Sequence, residues 1–150
     1  MPTPTRYNKH MHASPEPISA TEFDALAEFR YQVRLFLRAA ERNALSAGIK
    51  SMDYQFLLSL KRTTPRAQVN LATFSERLNL SSRALIQLIE TLVDRKLVER
   101  RRAGRGGPES FLHLTSKGEE VLHQVASLNR QELRARAADI IGALKTIGAR

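Results

Sequence analysis

The chain contains no cysteine. That excludes disulfides, thiolate metal sites and any cysteine-based redox switch. Long apolar runs are missing as well, and none approaches the roughly 20 residues that a bilayer-spanning helix needs. The N-terminal stretch MPTPTRYNKHMHASPEP lacks the continuous apolar segment of a signal peptide. These absences lead us to expect a cytoplasmic protein. No nucleophile elbow, phosphate loop or HExxH is present, and His113 and His123 have no evident acid or nucleophile partner. We therefore expect no enzyme and no cofactor. Acidic residues are scarce. Fifteen Asp and Glu face 24 Lys and Arg, a net charge of +9 over 150 residues. Such a balance favours a polyanionic partner and says nothing about fold. There is no internal repeat.

What is present is organised around residues 71–95, LATFSERLNLSSRALIQLIETLVDR. Leu71, Phe74 and Leu78 recur at helical spacing, and Asn79 and Leu80 then interrupt. Asn79 sits where the chain must turn sharply, and Asn tolerates the left-handed conformation better than most residues. Ser81 restarts a helix as N-cap, because its hydroxyl accepts from an unpaired backbone N–H. Leu85, Leu88, Ile89 and Leu92 then form one apolar stripe at i, i+3, i+4 and i+7. A short helix, a tight turn and a second helix opened by small polar residues make a helix-turn-helix, the motif whose second helix enters the DNA major groove. A helical hairpin that serves only packing has the same pattern.

The next segment separates the two readings. Leu97–Arg102 and Ser110–Leu114 are strand-like runs flanking a tip with Gly104, Gly106, Gly107 and Pro108, which predicts a β-hairpin. Residues 95–105 hold Arg95, Lys96, Arg100, Arg101, Arg102 and Arg105 against Glu99 alone. Lys61, Arg62 and Arg66 form a second basic cluster. A helix-turn-helix followed by a basic hairpin is a winged helix. A plain solvated loop does not account for a hairpin joined directly to a recognition-type helix.

Around this unit the chain divides into three parts. Residues 1–17 are read as a flexible arm, with His10 and His12 as tail residues, since two histidines make a poor metal site. Residues 18–48 and 116–150 are read as dimerisation helices, and 49–115 as the winged helix-turn-helix. The first helix starts at the capping box Ser19-x-x-Glu22, with Ile18 and Phe23 as a hydrophobic staple, and runs to about Ser46 with Gly48 as stop. Its apolar residues cover a broad arc, so it must bury two faces, one of them against a partner subunit. Arg30, Arg34, Arg38 and Arg42 repeat every four residues and form a ridge. They are solvated or paired with carboxylates such as Glu41, or they cross a dimer interface, or one or two hold an anion. A second helix, about Ser51–Lys61 and capped by Ser51, presents Met52, Phe56, Leu57 and Leu60, and Pro65 breaks the chain after it. Thr115 or Ser116 caps a fifth helix, where Ser116-x-x-Glu119 fits a capping box. A sixth spans about Gln131–Ile147. The two ends of the chain would pair with each other and with a symmetry mate, and an isologous two-fold is the commonest oligomer.

The segments FSERLNLSSRALIQLIETLVDRKLVERR and FLHLTSKGEEVL carry a resemblance to the MarR family of bacterial transcriptional regulators. The first resembles the family's recognition segment and its Leu-Val-x-Arg lead-in to the wing. The second resembles its Leu-Thr-x-x-Gly passage into the fifth helix. The resemblance spans about residues 20–147. Two positions depart from it. The wing tip Ala103-Gly104-Arg105-Gly106-Gly107-Pro108 lacks the family's usual aspartate before the arginine, and Asn79 stands where Gly is frequent.

The resemblance implies a mainly α fold with a small β-wing and an obligate homodimer on a pseudo-palindromic operator. It also implies a repressor released by a small aromatic or anionic effector seated between the dimerisation helices and the winged helix. Helix geometry points Ser82, Arg83, Ile86, Gln87 and Glu90 away from the core. Arg83 suits a bidentate contact to guanine, Gln87 pairs with adenine, and Ile86 meets a thymine methyl or packs on the preceding helix. Ser81 and Ser82 suit phosphate. Arg100, Arg102 and Arg105 supply electrostatics, with Arg105 best placed for the minor groove. Phe29, Arg34, Tyr54 and Phe56 are the candidate effector residues. The rival reading is a basic helical DNA-binding scaffold without sequence choice or ligand control.

Overall fold

The computed structural model describes residues 15–62, 70–102 and 110–148. Expectations for His10, His12, Pro65, Arg66 and the wing tip with Arg105 lie outside the described residues, as do the side chains of Arg102 and Ser110. The element order is α1 (Ala20–Ser46), α2 (Ser51–Arg62), α3 (Leu71–Leu78), α4 (Ser82–Asp94), β1 (Val98–Arg102), β2 (Ser110–Leu114) and α5 (Ser116–Gly148). This is a mainly helical fold with a two-stranded antiparallel wing.

Local chemistry sets most boundaries. The Ser19 hydroxyl accepts from the Glu22 N–H at 3.1 Å, and the Glu22 carboxylate accepts from the Ser19 N–H at 3.1 Å, so the capping box forms. The staple does not close, because Ile18 and Phe23 stay 50% and 59% exposed in the single chain. Gly48, at φ +78, turns the chain from α1 into α2, a conformation that costs glycine little. The cap of α2 differs from the expectation. Ser51 is already helical, and the Asp53 carboxylate accepts from the Lys50 N–H at 2.8 Å instead. Charge decides this: a carboxylate accepts a stronger hydrogen bond than a hydroxyl and suits the positive end of a helix.

The core joins Phe56, Leu57 and Leu60 of α2, Phe74 and Leu78 of α3, Leu85, Ile89 and Leu92 of α4, Leu97 and Val98 before and in β1, Leu112 of β2, and Leu122 and Val125 of α5. It lies beneath α4. Beyond it, α1 packs along α5 through Ala25, Gln32 and Ala39 on one side and Asn129 and Ala143 on the other. Small residues let these two helices approach closely. Several polar groups are paired between them. Gln32 donates to Glu28 at 2.8 Å and to Asp139 at 3.4 Å, and it accepts from Arg136 at 3.2 Å.

The C-terminal region requires a correction. The fifth and sixth helices expected separately are one continuous helix of 33 residues, with no break near Asn129. Asn129 is buried, and its side-chain oxygen accepts from Asn43 of α1 at 3.0 Å. A side chain engaged across the helix pair is not available to cap or turn its own backbone. At the start of α5 Thr115 is the cap, accepting from the Gly118 N–H at 3.0 Å. The Ser116–Glu119 capping box is absent, since Glu119 pairs with Lys61 at 2.8 Å.

Candidate nucleic-acid interface

The recognition-type helix is α4, and its start is built locally. Asn79 adopts the left-handed conformation, φ 53 and ψ 47, and closes α3 through its N–H to the Glu76 carbonyl. Ser81 then caps α4, its hydroxyl accepting from the Ala84 N–H at 3.1 Å. Between them Leu80 is half buried against the core. The corner is thus fixed by one left-handed residue, one cap and one apolar anchor.

The two faces of α4 separate cleanly. Leu85, Ile89 and Leu92 are buried, and Leu88 packs partly against them. Ser81, Ser82, Arg83, Ile86, Gln87 and Glu90 are exposed. Ile86 is 43% exposed, so its packing against α3 is incomplete and an apolar surface remains on this face. Arg83 forms no ion pair among the described residues, which leaves its fork of donors open.

In the wing, β1 pairs with β2 in the register Val98↔Leu114, Glu99↔His113, Arg100↔Leu112 and Arg101↔Phe111. Alternation puts Val98, Arg100, Leu112 and Leu114 on the core-facing side and Glu99, Arg101, Phe111 and His113 on the other. Arg101 is tied to Glu99 two residues away on its own face. Arg100 is exposed and unpaired among the described residues, so its charge is open to a partner.

The four candidate effector residues do not meet in one place. Phe56 is fully buried, with its ring 5.4 Å from that of Phe74. It shares the core face of α2 with Leu57 and Leu60. Phe29 and Arg34 line a shallow groove of about 420 Å³ on α1, together with Arg30, Val33, Leu37 and Arg38. Tyr54 lines a different and larger groove of about 600 Å³ between α1, α2 and α5. Phe36, Leu37, Leu58, Leu133 and Ala137 supply its apolar wall, and Arg130, Arg134 and Asn129 its polar side. Arg130 and Arg134 were missed in the sequence, because an expected helix start at Gln131 separates them; the continuous α5 makes them an i, i+4 pair, and packing shows that they border a cleft. The ridge Arg30, Arg34, Arg38 and Arg42 is exposed along its length and forms no ion pair among the described residues, Glu41 included.

No family model and no curated protein matches the sequence. Solved structures do resemble it in fold. RV1404 from Mycobacterium tuberculosis superposes with a TM-score of 0.64 at 22% identity, over 91% of this chain and 94% of that one. AbsC, a MarR family transcriptional regulator from Streptomyces coelicolor, gives 0.61 at 20% identity, over 90% and 97%. A mutant of MepR from S. aureus bound to an oligodeoxyribonucleotide gives 0.63 at 15% identity, over 77% and 82%. In element order, wing and flanking helices, the chain has the winged helix-turn-helix fold of the MarR family of transcriptional regulators.

Proposed function

We propose that this chain is a homodimeric, sequence-reading double-stranded DNA-binding transcription regulator, a repressor of the MarR type released by a small molecule. One observation carries the reading. The helix after the left-handed corner is held by a continuous apolar stripe and turns outward a largely polar face that forms no ion pair among the described residues. On that face Arg83 and Gln87 are the base-reading side chains, Ile86 meets a thymine methyl, and Ser81 and Ser82 bind phosphate. Arg100, Arg102 and Arg105 hold the flanking backbone and minor groove. A MepR mutant of the same fold is bound to an oligodeoxyribonucleotide, which supports DNA as the partner.

Dimerisation draws support from the outer ends of the long helices. Leu26 of α1 and Ile141 and Leu144 of α5 are each at least 42% exposed in the single chain. An unpartnered apolar surface of this kind favours association. Effector binding is assigned to the groove between α1, α2 and α5. Its apolar wall and its two arginines suit an aromatic anion, and no carboxylate lines it among the described residues. Such a compound acts only through different affinity for the two spacings of the recognition helices. This assignment keeps Tyr54 and sets Phe29, Arg34 and Phe56 aside.

The test is selection of preferred sites by the purified protein from a random duplex library. An enriched inverted repeat, with half-sites about one helical turn of 34–36 Å apart, is expected. Salt-sensitive binding to every duplex without enrichment would replace this reading with the basic scaffold.

A further inference from the structure

The recognition helix ends at a junction of several elements. Arg95, just after α4, donates from Nη2 to the Gly48 carbonyl at 2.6 Å. Its Nη1 lies 3.8 Å from the Asp53 carboxylate, the same carboxylate that accepts the Lys50 N–H. One guanidinium therefore connects the end of α4 to the turn between α1 and α2. The next two residues attach the same point to α5. Lys96, left-handed at φ 60, accepts at its carbonyl from the Thr115 hydroxyl at 2.6 Å. The Leu97 carbonyl accepts from the Thr115 N–H at 3.1 Å.

We infer that Arg95 is a positioning residue that sets the angle of the recognition helix against the long helices, and so the half-site spacing the dimer reads. The inference rests on the regulator reading above. Three observations support it. The Arg95 side chain is 42% exposed while that of Asp53 is 8% exposed, so the ion pair is a poor source of stability. Its reach, however, adds a directional polar tie between the end of α4 and the α1–α2 turn, where the shared apolar core supplies only non-directional packing. The partner groups are also fixed: Asp53 is held by a backbone N–H, and the Gly48 carbonyl belongs to a turn shaped by a positive φ. Arginine suits the position because its rigid fork serves two acceptors at once, whereas lysine offers a compact point charge. A two-fold axis doubles the effect, since a tilt of α4 recurs in the partner and changes the separation of the two recognition helices.

The experiment measures binding of the full chain to inverted repeats whose spacers differ by one base pair, after the preferred repeat has been selected with the wild type. Arg95→Gln and Asp53→Asn are each compared with the wild type at equal salt, with folding checked by circular dichroism. Asp53→Asn keeps an acceptor for the Lys50 N–H and guards against a misfolded Arg95 variant. The preference of the wild type for its own spacer over its neighbours is expected to fall about fivefold or more in both, the low end of site-to-site coupling. Arg95→Lys is expected to fall between them and the wild type. Folded variants that lose affinity equally at every spacing, or keep the wild-type preference, overturn the inference and leave Arg95 a structural residue. A wild type that selects no repeat overturns the regulator reading itself, a failure visible before any variant is made.

Discussion

At the scale of single residues, two positions show how backbone conformation and side-chain chemistry divide the work. Asn79 and Lys96 both hold positive φ, 53 and 60. Asn accepts that region readily and Lys does not, so Lys96 stores strain of about 1–2 kcal/mol at the end of the recognition helix. Lys96→Gly is expected to raise stability by about 0.5–1 kcal/mol after the entropic cost of glycine, read as a higher urea midpoint at unchanged slope. No gain would mean that the lysine side chain holds the turn by a contact of its own. Arg83 has no ion pair or hydrogen bond of its side chain among the described residues, and its role is expected to be at the DNA. Arg83→Ala should leave stability within about 0.5 kcal/mol and weaken specific binding by about 1–3 kcal/mol, with relaxed preference at one base pair. Equal loss on specific and random duplexes would limit Arg83 to a phosphate contact.

At the scale of elements, the passage from wing to α5 is set by contact. The first turn of α5 lies against the Leu97 carbonyl so closely that a Cβ on Gly118 would stand 2.0 Å from that oxygen. Glycine in the Leu-Thr-x-x-Gly segment is thereby explained by space and not by dihedral freedom. Gly118→Ala must push α5 away from Leu97, the residue before β1. A loss of about 1–3 kcal/mol is expected, as for other overpacked sites, measured by chemical denaturation. An unchanged midpoint would show that the helix moves aside without cost. The length of α5 follows a similar logic. A separate helix starting near Gln131 was expected, but Asn129 is spent on Asn43 of α1, and the helix runs through.

At the scale of the whole molecule, the outer ends of α1 and α5 are unfinished in the single chain. Leu144 is 51% exposed and Ile141 49%, on a helix of 33 residues that extends about 50 Å. In the proposed dimer these side chains meet the partner. Leu144→Asp is expected to shift sedimentation from dimer to monomer at low micromolar concentration and to reduce binding to the inverted repeat to the weak level of an isolated half-site. A variant that remains dimeric would move the interface elsewhere on the long helices.

The sequence by itself determined what depends on neighbours a few residues apart. The capping box at Ser19, the left-handed corner at Asn79, the cap at Ser81, the inward stripe of α4 and the antiparallel wing were all legible, because each is decided by local hydrogen bonding or by periodicity. The exposed face of α4, with Arg83, Ile86 and Gln87, followed from the same geometry. Tertiary structure decided whatever requires a distant partner. It joined the last two helices into one through Asn43 and Asn129, and it placed a carboxylate where a serine cap was expected. It put Phe56 in the core, and it gathered Arg130 and Arg134 with Tyr54 around one groove. It also brought Arg95, Gly48 and Asp53 together across more than forty residues of chain. The physical reason is common to these cases. A polar or aromatic side chain satisfies itself wherever packing offers the better partner, and packing is a property of the folded whole.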